Sequence, residues 1–321
     1  MLIADSHIQA QTLDDLMRAV ITQTFSEGID IEPTKGPAKE LNGILLELTH
    51  PRARLSRTET KGKPFSCLGE LLWYLSQSRE LAFISYYLPQ YNHYAEDNSL
   101  YGAYGPRLFN WKGLNQVQQV LDLLKAKPDS RQAVIQLFDA ADISEPHNDV
   151  PCTCTLQFMI RQGRLHLFTH MRSNDIMWGL PHDIFSFTML QELFANDLQV
   201  ELGTYKHMVG SLHLYRKSIK DAHKYLQEGW QSTSPMPTMP SAPFRRSIQE
   251  VIDAEQRIRN GHDYPVEELQ ALQPYWADLI RLLLVFRASK QGDCDTIKQL
   301  RNQMSSPHYN TFIDSRIKRL T

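Results

Sequence analysis

Three short stretches hold most of the side chains able to do chemistry. Pro151-Cys152-Thr153-Cys154 sets two thiols at i and i+2, with Gln157 further along. Two such residues share one face of a strand, and on spacing alone they serve as a buried pair of small apolar side chains. No second cysteine or histidine pair at finger-like spacing accompanies them, so no metal site is expected. Met171-Arg172-Ser173-Asn174-Asp175, followed by Gly179-Leu180-Pro181-His182-Asp183, is a dense set of donors and acceptors between a strand and a helix. Such loops commonly hold ligands in α/β proteins, although read alone the segment is equally a hydrogen-bonded turn. Gly210 through Tyr215 sets His213 and Tyr215 on one face of extended chain, which taken singly is a satisfied core histidine beside a tyrosine. Glu70 is the one acid in the apolar stretch 67–77, and a carboxylate there needs a compensating reason.

The elements that must position these groups alternate between helical and strand periodicity. Thr12 with Asp15 reads as a helix N-cap, and Leu13, Met17, Val20, Ile21 and Phe25 recur at helical spacing up to Gly28. Residues 42–49 read as a buried strand, 67–77 as a helix, 115–126 as a helix ending at Lys127-Pro128, and 131–138 as a strand. Strands over 153–161 and 164–172 form a hairpin around Gln162-Gly163. A helix over 182–197, one or two strands through 199–211 and a helix from 214 to 228 follow. The expected class is mixed α/β (α+β) with a substantial sheet.

The segment 234–243 holds four of the 17 prolines and favours extended loop over helix or central strand. It suggests three units: 1–230 as a catalytic domain, 231–243 as a proline-rich linker, and 244–321 as a mainly helical extension, where Val266, Leu269, Leu272, Trp276, Ile280 and Leu283 recur at threes and fours. With 321 residues, 42% hydrophobic and 22% charged, the chain is long enough for one large core. A formal net charge of -2 supplies no global basic field, so no nucleic-acid polymer is expected as partner and any anionic ligand is gripped locally. Four irregularly spaced cysteines and an opening without a charged-then-apolar pattern predict a reduced, cytoplasmic protein. No apolar run approaches the roughly 20 residues of a membrane span.

In order and spacing together, these pieces resemble the family of thymidylate synthase and the pyrimidine nucleotide hydroxymethylases. The resemblance runs through Glu70-Leu71-Leu72-Trp73, Tyr104-Gly105, Asp129-Ser130-Arg131, Pro151-Cys152 with Gln157, Arg172 to Asp175, Gly179 to Asp183, and His213-Leu214-Tyr215. It covers about residues 12–228 and implies a thymidylate-synthase-like fold, a homodimer built on a large twisted sheet, and a phosphate site shared between subunits. It makes Cys152 the nucleophile that adds to C6 of a pyrimidine nucleoside monophosphate, so that C5 attacks the methylene of 5,10-methylenetetrahydrofolate. Arg172 and Ser173, with Arg131 of the other subunit, would hold the 5'-phosphate, and Arg172 would help depress the thiol's pKa. Gln157 belongs to the substrate-binding set, His213 and Tyr215 would hold the sugar hydroxyl, and Asp175 the pterin. Glu70 and Tyr104 would manage protons and water around C5.

Asp183 stands where thymidylate synthases have asparagine, which reads uracil. Cytosine reverses that donor and acceptor pattern, and a carboxyl group meets its N4 amine. The resemblance therefore leans to deoxycytidylate hydroxymethylase, with Thr153 and Ser211-Leu212 departing from thymidylate synthase in the same direction. The alternatives are a thymidylate synthase acting on deoxyuridylate, and a catalytically silent nucleotide-binding protein. Two departures from the family are Gln132, where a second arginine is usual, and the 106 residues after Tyr215.

Overall fold

The computed structural model describes residues 6–241 and 244–320, so the chain ends at 1–5 and 321 and the close of the proline-rich segment at 242–243 lie outside the described residues. The chain begins with β1 (His7–Ala10), α1 (Leu13–Glu27), β2 (Ile29–Ile31) and β3 (Ala38–Leu48). Thr12 caps α1 by accepting from the Asp15 backbone N–H at 3.1 Å, as its sequence predicts. Next come α2 (Pro64–Leu75), α3 (Leu81–Tyr87), α4 (Tyr104–Phe109), α5 (Gln116–Ala126) and β4 (Val134–Gln136). Only three residues of the expected strand over 131–138 form regular ladder pairs, because β4 is the edge strand and Leu137 and Phe138 both donate to the single carbonyl of Cys154 at the bulge in β5. Then follow β5 (Thr153–Arg161), β6 (Arg164–Asp175), α6 (Gly179–Asp197), β7 (Glu201–Tyr215) and α7 (Ile219–Gln227).

The seven strands form one mixed sheet in the order β1-β3-β7-β6-β5-β4, with β2 also pairing along β3. Gln162 (φ 51°) and Gly163 (φ 71°) both turn left-handed, the geometry of a two-residue hairpin between β5 and β6. β6 and β7 run parallel, joined by α6, and this crossover sets Asp175 opposite His213 at their shared end. β7 is a single strand reaching Tyr215, so the helix expected from 214 begins only at Ile219. One face of the sheet is buried through Leu156, Phe158, Leu165, Leu167, Tyr205 and Val209. The other carries Phe168, Met208 (47% exposed) and Val134 (40% exposed) and lacks a covering layer among the described residues.

Beyond α7 the chain forms α8 (Phe244–Arg259), α9 (Val266–Ala271), α10 (Pro274–Gln291), α11 (Cys294–Gln303) and α12 (Asn310–Leu320). The periodic run from Val266 to Leu283 is two helices, because Pro274 starts a new one at its first turn. α8 and α10 pack on α2, and α8 also on α6, so the tail shares the core of the sheet region. The proline-rich segment is extended and docked: Met236 and Met239 are buried, and their backbone N–H groups donate to Arg52 O (2.8 Å) and Glu192 Oε1 (3.1 Å). Glu192 also pairs with the buried Arg54.

α2 is apolar all round because it lies between α6 and the C-terminal helices. Gly69 lets it approach α3, since a Cβ there would lie 2.2 Å from the Tyr87 ring. Gly69→Ala is expected to lower the unfolding free energy by about 2–3 kcal/mol through overpacking. Urea denaturation checks this, and an unchanged midpoint would mean the ring moves aside freely.

Candidate active site

Cys152 lies immediately before β5, half-buried, in a loop that Arg172 fastens from β6. The Arg172 backbone N–H donates to Cys152 O (2.9 Å), Nε to Pro151 O (2.9 Å) and Nη2 to Val150 O (3.0 Å). Nη1 makes no hydrogen bond among the described residues, and the side chain is exposed, which leaves a donor for an anion. Burial pushes the Cys152 thiol above its ordinary range; Arg172 and then Lys35 pull it down, while Asp183 and Asp149 push it up. The expected depression by Arg172 is present but outweighed, because desolvation of the thiolate is the larger effect. Alkylation of Cys152 by iodoacetamide is therefore expected to keep accelerating through the alkaline range where an ordinary thiol has levelled off. A plateau at neutral pH would contradict this.

Asp183, just past the first turn of α6, accepts from Asn174 Nδ2 at 2.8 Å. It keeps some exposure through the cleft, yet desolvation dominates and holds its carboxyl far above the usual carboxylate range, with Glu70 adding to the rise and Asn174 opposing it. Burial thus biases Asp183 toward its protonated form, in which it offers one donor and one acceptor. Behind it, Asn174 Nδ2 lies 3.4 Å from His207 Nε2, and His207 Nδ1 lies 2.7 Å from Tyr205 Oη. Burial drops His207 to about 3, so this imidazole is neutral and the track is uncharged.

Tyr104 opens α4 and its hydroxyl accepts from Thr153 N (3.1 Å) and Thr153 Oγ1 (2.9 Å), keeping its own proton to donate. After burial, the charges of Asp183 and Cys152 are the main influences raising Tyr104, which puts the three groups in one neighbourhood. Glu70 is buried on α2, and its Oε1 accepts from Tyr74 Oη (3.0 Å) and Tyr91 Oη (2.6 Å). These two phenols satisfy the acid that the apolar helix left unexplained.

At the shared end of β6 and β7, Ser173 pairs in register with Ser211, and Asp175 with His213. His213 Nδ1 lies 3.3 Å from the Ser211 carbonyl, which can only accept, so Nε2 presents a lone pair. Tyr215 packs edge-on to His213 at 4.8 Å. Burial, Asp175, Tyr94 and Cys152 together lift Tyr215 to about 12. Asp175 Oδ1 accepts from Met177 N (2.7 Å) and Trp178 N (3.0 Å), while Oδ2 is unpaired among the described residues. Beside it Trp178 is 49% exposed, with Lys61 Nζ 4.7 Å over its ring. Lys61 is buried without an ion pair among the described residues, and desolvation lowers it to about 8.

Two of the expected residues stand apart. Gln157 Nε2 donates to Arg131 O (2.9 Å) on the uncovered sheet face, and Arg131 is exposed. Sequence reasoning missed the roles of Tyr74, Tyr91, Asn174, Lys61 and His182. Tyr74 lies one helical turn after Glu70, a usable signal, whereas Tyr91 comes from another element with no local sign.

A thiol, an arginine with a spare donor and a buried acid within electrostatic reach of one another are the groups that covalent catalysis on an electron-poor, anionic substrate would use. The chain belongs to the thymidylate synthase family, whose profile matches residues 52–264. It is similar to the deoxyuridylate hydroxymethyltransferase of Bacillus phage SP01, 27% identical over 307 residues that cover 89% of this chain and 77% of the relative. It is also similar to the deoxyuridylate hydroxymethyltransferase of Delftia phage PhiW-14, 29% identical over 247 residues, 71% of this chain and 67% of the relative.

Proposed function

We propose that this chain transfers a one-carbon unit from 5,10-methylenetetrahydrofolate to C5 of a pyrimidine deoxynucleoside monophosphate and releases it as hydroxymethyl. The observation that carries this reading is the buried Asp183 carboxyl, held by Asn174 at 2.8 Å in the same neighbourhood as Cys152 and Tyr104. Bound folate would supply the methylene at the oxidation level of formaldehyde. The exposed Trp178 ring and the unpaired Asp175 Oδ2 fit a flat heterocycle that stacks and donates.

In this reading Arg172 Nη1, Ser173 and Lys35 hold the phosphate, and the His213 lone pair with Tyr215 receives the sugar hydroxyl. Cys152 sulfur bonds to C6, and Asp183 donates to the ring as negative charge develops there, which offsets the high thiol pKa. Deoxycytidylate is our first reading, because the acid accepts from the N4 amine and donates to N3. Deoxyuridylate is the second, favoured by the names of both phage relatives. A neutral acid meets its N3–H and O4 equally well when the proton sits on the other oxygen.

The uncovered sheet face supports a homodimer in which Arg131 reaches the partner's phosphate site. Incubation with methylenetetrahydrofolate and each nucleotide, followed by mass analysis, tests the proposal: a gain of CH2O supports it, and a gain of CH2 identifies a methylase. Asp183→Asn is expected to cut kcat/KM for deoxycytidylate by about 100-fold or more while sparing deoxyuridylate, since the Asn174 amide donor would hold the new side chain in one orientation, whereas an acid can move its proton. Equal kinetics on both bases would remove Asp183 from base reading.

A further inference from the structure

We propose that His182, assisted by Ser66, accepts the proton of the water that adds to the C5-bound methylene, an inference that rests on the hydroxymethylation reading above. His182 stands in the first turn of α6 next to Asp183 and is 9% exposed. Its Nδ1 lies 3.1 Å from Trp178 O, and a carbonyl only accepts, so Nδ1 carries the hydrogen and Nε2 the lone pair. That lone pair meets Ser66 Oγ at 3.0 Å. Ser66 is one turn before Glu70 on α2, so the two lie on the same helix face and the pair looks toward the acid assigned to C5.

The other groups nearby are poorer acceptors. Burial biases Asp183 toward its protonated form, and Glu70 Oε1 is engaged by two phenols. Cys152 is bonded to C6 at this stage. Burial first, with Lys61 and Lys63 adding and Glu70 opposing, lowers His182 and so favours the form whose Nε2 lone pair is free. His182 also bridges the residues read as facing pterin (Asp175, Trp178) and base (Asp183), where the methylene must lie once it has left the folate.

The step balances without oxidant or reductant. Water oxygen bonds to the methylene carbon, the exocyclic double-bond pair moves into the ring toward C4, and the water proton goes to His182 Nε2, with Ser66 turning its hydroxyl aside. The ring pair then returns, re-forming C5=C6 and breaking the bond to Cys152. The departing thiolate recovers the proton.

The test uses the full chain in molar excess over nucleotide tritiated at C5, with methylenetetrahydrofolate, so that a single turnover is followed. Wild type is expected to release tritium and form hydroxymethyl product in equal amounts. In His182→Asn and His182→Phe, tritium release should fall no more than a few-fold, because C5 deprotonation precedes water addition, while product falls by about 100-fold. A small thiol added to these variants should divert the methylene to a C5 thioether. Ser66→Ala should uncouple the two more mildly. If tritium release and product fall together in both His182 variants, or neither falls, the role is overturned. A wild-type chain that releases tritium but yields a methyl product overturns the hydroxymethylation reading itself, a result separable from failure of the variants.

Discussion

Cys152→Ala is expected to lower turnover by at least about 10^4-fold and to leave no covalent complex with a 5-fluoropyrimidine nucleotide and folate on denaturing gels. C5 of a pyrimidine is a poor carbon nucleophile until C6 is saturated, and no other described side chain offers sulfur at that point. Cys154, two residues on, shares the strand but gives its backbone carbonyl to Leu137 N and Phe138 N. It sits in the bulge between Thr153 and Thr155, so it is not aligned as a substitute. An adduct retained in Cys152→Ala would mean that the nucleophile has been misassigned.

Arg172→Ala is expected to lower kcat/KM by about 10^3-fold, the sum of a lost phosphate contact and a loosened nucleophile loop, at roughly 1.5–3 kcal/mol for each charge-assisted hydrogen bond. Its Nε and Nη2 bonds to Pro151 and Val150 make this arginine part of the geometry of Cys152 as well as of the ligand. Two readouts separate the roles. Loss of phosphate contact raises KM, and loss of the loop clamp lowers kcat and slows alkylation of Cys152, since the guanidinium is the strongest influence holding its thiol down. Arg172→Lys keeps the charge without the fork and is expected to fall between. A change confined to KM would show that the clamp is dispensable.

How much of this was legible in the sequence depended on whether the cause was local. The cap at Thr12, the hairpin at Gln162-Gly163 and the end of α5 before Pro128 are set by neighbouring residues and lie where spacing predicts them. The strand over 131–138 was overestimated because its alternation continues past the residues that have a partner, and pairing depends on β5. The helix expected over 266–283 hid a break, since hydrophobic spacing passes through Gln273-Pro274 without changing phase. At the site, order and residue type marked Cys152, Arg172, Asp183 and Glu70. The sign of the shift at Cys152 was not legible, because it depends on how much protein surrounds the thiol, which no local motif records. The same holds for Asp183: the sequence places an acid there, and only its surroundings decide that its carboxyl is pushed upward.

The docked tail has a consequence for any attempt to trim the chain at its proline-rich segment. Tyr87, which closes against Gly69 of α2, donates its hydroxyl to Glu255 of α8 at 2.8 Å, so the floor beneath Glu70 is part of the same masonry as the last third of the polypeptide. A shortened enzyme would thus be blunted in its chemistry before it was visibly unfolded.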